Sequence, residues 1–145
     1  MKPSGLILLI ATVECGPTTP IATIVVEAPS PVVKGDSLGE AIGLETLGAV
    51  FTPLLKAGCH IPCEVTETFG TAEDSMTEIA IHLYRGSAQL VTNNHPLGTF
   101  AIVGIPRLPR GVAQVRVTVR AANGQILMRA RDTSGARIRL ESRNR

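Results

Sequence analysis

The chain has 145 residues, 44% of them apolar and 18% charged, which suits one globular domain with an extension and excludes a mainly disordered chain. Aromatic residues make up 3% and Trp is absent, so the core has to be built from Val, Ile, Leu and Ala. The net charge is +2, but residues 107–145 hold ten Arg and two acids, whereas residues 1–106 hold ten acids and four bases.

An apolar run from Gly5 to Val13 lies near the start of the chain. It is shorter than the about 20 residues needed to span a bilayer, and it has the length of a signal-peptide core. Glu14-Cys15-Gly16 is a poor cleavage site, so a buried strand remains the alternative. Ile21–Val26 is predicted to be a strand between two Pro clusters. We predict that residues 1–36 form an N-terminal extension or linker.

From residue 37 onward the pattern is typical of an all-β domain. Glu78–Tyr84 alternates, with Ile79, Ile81 and Leu83 on one face, and Asn123-Gly124 is a typical hairpin turn. Turn signals recur about every 8–12 residues, which predicts an antiparallel β-sandwich of about eight short strands over residues 37–140, with a basic tail at residues 141–145. The predicted strands are Ala41–Thr46, Ala49–Leu55, Ile61–Phe69, Glu78–Tyr84, Phe100–Ile105, Ala113–Arg120, Gln125–Arg131 and Arg137–Leu140, with a turn at Thr92–Pro96.

The chain has three cysteines, an odd number. On one strand, the Cα atoms of Cys59 and Cys63 would lie roughly 13 Å apart, whereas a disulfide needs about 7 Å or less, so the two residues can pair only across a turn. A zinc site would need a second pair of ligands, which the sequence does not show. We therefore expect reduced thiols, no metal and a reducing, cytoplasmic location, with export through the N-terminal run as the alternative.

The Arg-rich part of the chain is compatible with a surface for nucleic acid or an acidic partner. However, Arg116 and Arg120 alternate with Val115, Val117 and Val119, which favours a strand with a solvated outer face. Proteins that bind single-stranded nucleic acid also use aromatic residues for stacking, and these are scarce here. Nucleic acid is thus a disfavoured partner.

Several short motifs follow one another between Ser37 and Gly135. They are Ile42-Gly-Leu-Glu-Thr-Leu-Gly48 with Val50-Phe51, Ile61-Pro62, Phe69-Gly-Thr-Ala-Glu-Asp74, Leu97-Gly98, Gly104-Ile-Pro106, Pro109-Arg-Gly111, Asn123-Gly124 and Ala130-Arg-Asp132. In kind, order and spacing they resemble the substrate-binding β-sandwich of the 70-kilodalton heat-shock chaperones, the DnaK family.

The resemblance implies a channel that holds a short extended peptide by its backbone and one of its side chains in a pocket. The implied pocket is formed by Leu44, Phe69, Ile79, Ile81 and Val115. Thr46 would lie near its floor, Leu47 and Ala72 would arch over the peptide, and Glu45 and Thr71 would flank it. The partners would be hydrophobic segments of unfolded proteins, with no small-molecule substrate, no cofactor and no membrane. Without the resemblance, the aliphatic members of the pocket would be taken for ordinary core residues.

The sequence also departs from that family. Residues 1–36 are too short for its ATPase domain and residues 142–145 for its helical lid, so we expect neither here, and Val32-Val-Lys-Gly35 replaces its leucine-rich linker. We therefore expect weak, fast peptide binding that is independent of ATP. Asp74 and Arg110 match residues that contact the lid in the family, and we expect them to be merely solvated here.

Other functions stay open at this point. An interaction module that kept only the sandwich could hold residues 18–33 in its own channel or self-associate through the channel of a neighbouring copy, because Ile21–Val26 is extended and apolar. An enzyme is not predicted. No Ser or Cys nucleophile is placed by a motif beside His60, His82 or His95, and no phosphate-binding Gly loop occurs.

Overall fold

The computed structural model describes residues 21–26 and 33–143. In these ranges strands dominate, no α-helix occurs, and a short 3-10 turn lies at Val91–Asn93. The strands are β1 (Ala22–Val26), β2 (Val33–Lys34), β3 (Ser37–Leu38), β4 (Ala41–Thr46), β5 (Val50–Leu55), β6 (Cys63–Gly70), β7 (Glu78–Gly86), β8 (His95–Val103), β9 (Gln114–Ala122), β10 (Gln125–Asp132) and β11 (Arg139–Ser142). None of the described residues belongs to a helix long and apolar enough to cross a membrane.

The strands form two main sheets whose neighbours are antiparallel. One sheet has the order β1-β10-β9-β6, the other has the order β11-β8-β7-β4-β5, and β2 and β3 form a small separate ribbon. The β9–β10 hairpin turns at Asn123 and Gly124, which have φ angles of 51° and 73°. Both residue types tolerate this left-handed region, as the sequence predicts.

The hydrophobic core combines the inward faces of the two main sheets. Val115, Val117 and Val119 of β9 are buried, and Phe100 and Ile102 of β8 belong to the same cluster. Because side chains alternate along a strand, every second residue of β9 and β10 enters the core and the others face outward. Phe100 to Val103 of β8 are all buried. The predicted antiparallel β-sandwich is confirmed.

The two ends of the described chain both join the sheets. β1 lies at the edge of the four-stranded sheet, with Ala22 opposite Ala130 of β10, so the predicted strand at residues 21–26 is confirmed. β11 pairs with β8 and continues to Ser142, past the expected start of the basic tail. The expected domain divisions after residues 36 and 140 stay predictions, and the apolar run at residues 5–13 lies outside the described residues.

β8 begins earlier than the sequence predicts. Its first residues, His95 and Pro96, fall in the segment expected to be a turn. Proline is tolerated there because the pairing with β7 is irregular at this point, with a register shift between Leu83 and Tyr84, and proline is compatible with bulges and with the first residues of strands. The irregularity leaves room for Leu97, which is 3% exposed in the core.

The expectation of reduced thiols is wrong for Cys59 and Cys63, which form a disulfide with Cα atoms 6.4 Å apart. The two residues do not share a strand. The Leu38 amide donates to the Cys59 carbonyl oxygen (2.9 Å) and Ile61 bonds back to Asp36, so the chain turns before β6 begins. Because these two cysteines are not reduced, they no longer support the expected cytoplasmic location, which stays a prediction. Cys15, the third cysteine, lies outside the described residues.

Candidate functional site

β4 and β7 are neighbours in the five-stranded sheet, but they pair over only part of their length. Residues 41–44 pair with residues 83–86, yet β4 continues to Thr46 and β7 already begins at Glu78. The far edges of these unpaired parts are occupied, because Thr46 pairs with β5 and Glu78 pairs with β8. In the described chain no strand lies between the facing edges of residues 45–46 and residues 78–82. We call this opening the fork.

The five predicted pocket residues all belong to the hydrophobic core of the sandwich or pack against it. Leu44, Ile81 and Val115 are 7%, 5% and 0% exposed and are members of the core. Ile79 and Phe69 pack against this core but remain only partly buried. Of the five predicted pocket residues, these two are therefore the ones that keep apolar surface available to a ligand.

Leu47 and Ala72, the expected arch, lie in the loops that follow β4 and β6. Leu47 is 98% exposed, and it is followed by the tight turn at Gly48 and Ala49, whose φ angles are 86° and 60°. Ala72 is also exposed. Thr46 is exposed, and its hydroxyl is bonded to that of Thr52 (2.9 Å). An exposed leucine next to an unpaired strand end offers an apolar contact to a ligand.

The loop between β6 and β7 is held in place by the loop between β8 and β9. Thr71 is 4% exposed, its amide donates to the Ala113 carbonyl oxygen (3.2 Å), and its hydroxyl accepts from the Gly111 amide (3.0 Å). The Asp74 carboxylate accepts from the amide of Arg110 (2.8 Å). The expectation that Asp74 is merely solvated is therefore wrong, because this carboxylate fixes one loop to the other beside the fork.

Tyr84 and Glu45 connect the paired and unpaired parts of β4 and β7. The Tyr84 hydroxyl donates to Glu45 Oε1 (3.3 Å). Burial and the neighbouring Glu45 carboxylate both raise the pKa of the Tyr84 hydroxyl, because each favours the neutral phenol. Alternation places Tyr84 on the outer face of β7, but its contact with Glu45 depends on the β4–β7 register, which the sequence does not reveal. This contact was therefore missed.

Two hollows lie away from the fork. A cavity of about 600 Å³ lies on the outer face of the four-stranded sheet, and one of about 380 Å³ lies beside Phe51 and Gly86. A third is lined by residues 72–74 and Arg110, so Ala72 is the one member of the predicted site among these linings. No group of three or more His, Cys, Asp or Glu side chains within the described ranges is placed to hold a metal ion.

Comparisons with known proteins are consistent with this architecture. The family model described as "Hsp70 protein" matches residues 24–141. The chaperone protein DnaK of Anaplasma marginale (strain St. Maries) is 40% identical over 98 residues, which cover 67% of this chain and 15% of that protein. The mitochondrial heat shock 70 kDa protein of Dictyostelium discoideum is 38% identical over 110 residues, which cover 70% of this chain and 17% of that protein. The chain thus spans less than a fifth of either relative.

Proposed function

Since the chain belongs to the Hsp70 family, we propose that it has a chaperone-related role and binds short, extended, hydrophobic segments of unfolded proteins in the fork. The observation that carries this proposal is the interrupted pairing of β4 and β7, which ends at Leu44 and Leu83 although both strands continue. The fork therefore offers two strand edges to a segment of chain that enters it.

The backbone of an entering peptide would supply most of the affinity. Unpaired strand edges are templates for the addition of another strand, and in this mode of recognition the main-chain hydrogen bonds hold the peptide while side-chain pockets select it. Both edges of the fork belong to strands that are fixed on their far side, by β5 and by β8. A ligand would thus meet a preformed site and would not have to order it first.

The side chains around the fork favour an aliphatic residue in the peptide. Ile79 and Phe69 expose part of their surface over the core, and Leu47 is 98% exposed at the end of β4. A Leu or Ile side chain placed among these three residues would leave water, and full burial of such a side chain stabilises a complex by about 1.5–3 kcal/mol. Leu44, Ile81 and Val115 would form the base of this pocket.

The proposed site needs no nucleotide and no catalytic step. Its edges and its apolar surface belong to β4, β6, β7 and the turn after β4, all within this chain. Addition of ATP to the isolated chain should therefore leave its affinity for peptide unchanged, since a ligand shifts an equilibrium only through differential contacts.

Occupation of the fork by the chain's own residues 22–26 does not match the structure. These residues form β1, which pairs with β10 at the edge of the other sheet. The self-occupied channel is therefore not proposed for this segment within one molecule. An external segment is the occupant that the proposal names.

Fluorescence anisotropy with a labelled Leu-rich peptide tests the proposal. We expect saturable binding by the wild-type chain, and a peptide with N-methylated backbone amides should bind about tenfold more weakly, because it lacks donors for the fork. Ile79→Phe should weaken binding by blocking the pocket. Val25→Phe is the matched control, because Val25 is 40% exposed on β1 of the other sheet, and it should leave the affinity unchanged. Equal affinity for both peptides would refute strand addition.

A further inference from the structure

The outer face of the four-stranded sheet carries a marked excess of positive charge. Along β6, β9 and β10 every second residue faces away from the core. On these strands the outward-facing charged residues are Arg116, Arg120, Arg129, Arg131 and Glu64. Over the described residues, four guanidinium groups therefore share this face with the carboxylate of Glu64, and the nearest other acid on β6 is Glu67, which is exposed at an inward position of the alternation.

Two of these arginines oppose each other without a counter-ion. Arg116 of β9 is directly opposite Arg131 of β10, which places their Cβ atoms about 5 Å apart. Glu64 is engaged elsewhere, since it lies 2.8 Å from Arg120 and 3.8 Å from Arg129. Over the described residues no carboxylate forms an ion pair with Arg116 or Arg131. Like charges placed opposite each other destabilise a sheet, and an anion between them would remove this repulsion.

The same two arginines line the cavity of about 600 Å³, a volume in the range of about 300–1,000 Å³ that is usual for small-ligand sites. The polar residues that line it are Arg116, Arg129 and Arg131, which carry guanidinium groups, and Thr66, Thr68 and Thr118, which carry hydroxyls. Among the residues that the structure describes, no acidic residue lines it. The hydroxyls of Thr66 and Thr118 are bonded to each other (2.8 Å), and such a pair uses only one of its two protons, so a donor remains for a ligand.

The chemistry of this lining matches phosphoryl oxygens. Guanidinium groups bind phosphate through two parallel N–H donors, and hydroxyls add single hydrogen bonds. Arg129 and Arg131 are two residues apart on β10, which separates their positions by about 7 Å, so the face is wide enough for more than one phosphoryl group. A nucleic acid is less well matched, because single strands are bound by stacking on aromatic residues and no aromatic residue lines this cavity.

We propose that the cavity on the outer face of the four-stranded sheet binds a small soluble oligophosphate, with one phosphoryl group held between Arg116 and Arg131. The site is independent of the proposed peptide function, because the fork lies in the five-stranded sheet and this face points away from it. Both ligands can therefore be bound at the same time.

Isothermal titration calorimetry of the full chain with tripolyphosphate at low salt tests the site. Arg116→Gln and Arg131→Gln should each weaken binding about tenfold, because each removes a pair of charge-assisted hydrogen bonds. Arg139→Gln is the matched control: this arginine has a side chain that is 69% exposed and belongs to β11 of the other sheet. The control should change the affinity by less than about twofold, and orthophosphate should bind more weakly than tripolyphosphate.

Three results would overturn the proposal. They are an absence of binding at millimolar tripolyphosphate, an equal loss in the Arg139→Gln control, and tighter binding of a single-stranded oligonucleotide at the same phosphate concentration. The last two results would indicate general charge attraction and a nucleic-acid surface, respectively. Peptide anisotropy on Arg116→Gln separates this site from the fork, since the affinity for peptide should stay at the wild-type value whether or not oligophosphate binds.

Discussion

Replacing Ile79 and Ile81 by Ala, one at a time, separates ligand binding from folding at the fork. The two residues lie on the same face of β7, two positions apart. Ile81 is 5% exposed and belongs to the core, whereas Ile79 packs against the core at its edge and is only partly buried. If Ile79 forms the pocket surface and Ile81 forms its base, the two substitutions should have opposite principal effects.

The expected magnitudes follow from this difference in burial. Ile81→Ala creates a cavity in a packed core, which costs about 2–5 kcal/mol of the free energy of unfolding. Ile79→Ala removes side-chain surface that is already partly in water, so its cost to folding should be about 1 kcal/mol. The same substitution removes part of the surface that buries a Leu of the peptide. A loss of about 1 kcal/mol there lowers the affinity about fivefold.

Each variant is unfolded in urea, with circular dichroism as the probe, to obtain its free energy of unfolding. Its affinity for peptide is measured by fluorescence anisotropy and calculated from the concentration of folded protein. Ile79→Ala should bind peptide about fivefold more weakly and lose only about 1 kcal/mol of the free energy of unfolding. Ile81→Ala should be much less stable but should bind peptide nearly as well as the wild type while it is folded. If Ile79→Ala kept the wild-type affinity, the pocket would not be located at this residue.

Two further predictions concern single side chains. Because the pKa of Tyr84 is raised by burial and by Glu45, the folded chain holds this proton more tightly than the unfolded chain, so stability should fall as the pH rises above about 10. Tyr84 is the single tyrosine, so a pH titration followed by tyrosinate absorbance reports on Tyr84 alone. The pH midpoint of this titration should be lower in Glu45→Gln than in the wild type. An unchanged midpoint would contradict the contact between Tyr84 and Glu45. Asp132 is 1% exposed and accepts from the amides of Ser134 (2.9 Å) and Ala136 (3.3 Å). Asp132→Ala should cost about 3 kcal/mol in urea unfolding, and a loss near zero would mean that these amides find other acceptors.

Local pattern was sufficient to predict most of the strands, although it missed β2, β3 and the start of β8. The alternation of Ile79, Ile81 and Leu83 identifies both the strand and its buried face, and Asn123-Gly124 identifies the hairpin between β9 and β10. These signals are reliable because the period of two is a property of the strand itself. The motifs also indicate the family, and the match to residues 24–141 confirms it.

The features that sequence reasoning missed depend on contacts between distant segments. Cys59 and Cys63 meet because the intervening chain bonds to residues 36–38, and Asp74 finds the Arg110 amide 36 residues away. The opposition of Arg116 and Arg131 is different, because the two-residue Asn123-Gly124 turn pairs Ala122 with Gln125 and thereby fixes the β9–β10 register. This pair could have been found from the sequence. The other two contacts are set by tertiary structure, which no local spacing encodes.

Amide hydrogen exchange with and without a Leu-rich peptide tests the central claim most directly. If the peptide adds as a strand between β4 and β7, those amides of residues 45–47 and 78–82 that point into the fork should exchange more slowly in the complex, because hydrogen bonding to the peptide protects this open edge. Residues 126–130, which already pair on both sides with β1 and β9, should not change. Protection that appears elsewhere in the chain and leaves the fork unchanged would contradict the account.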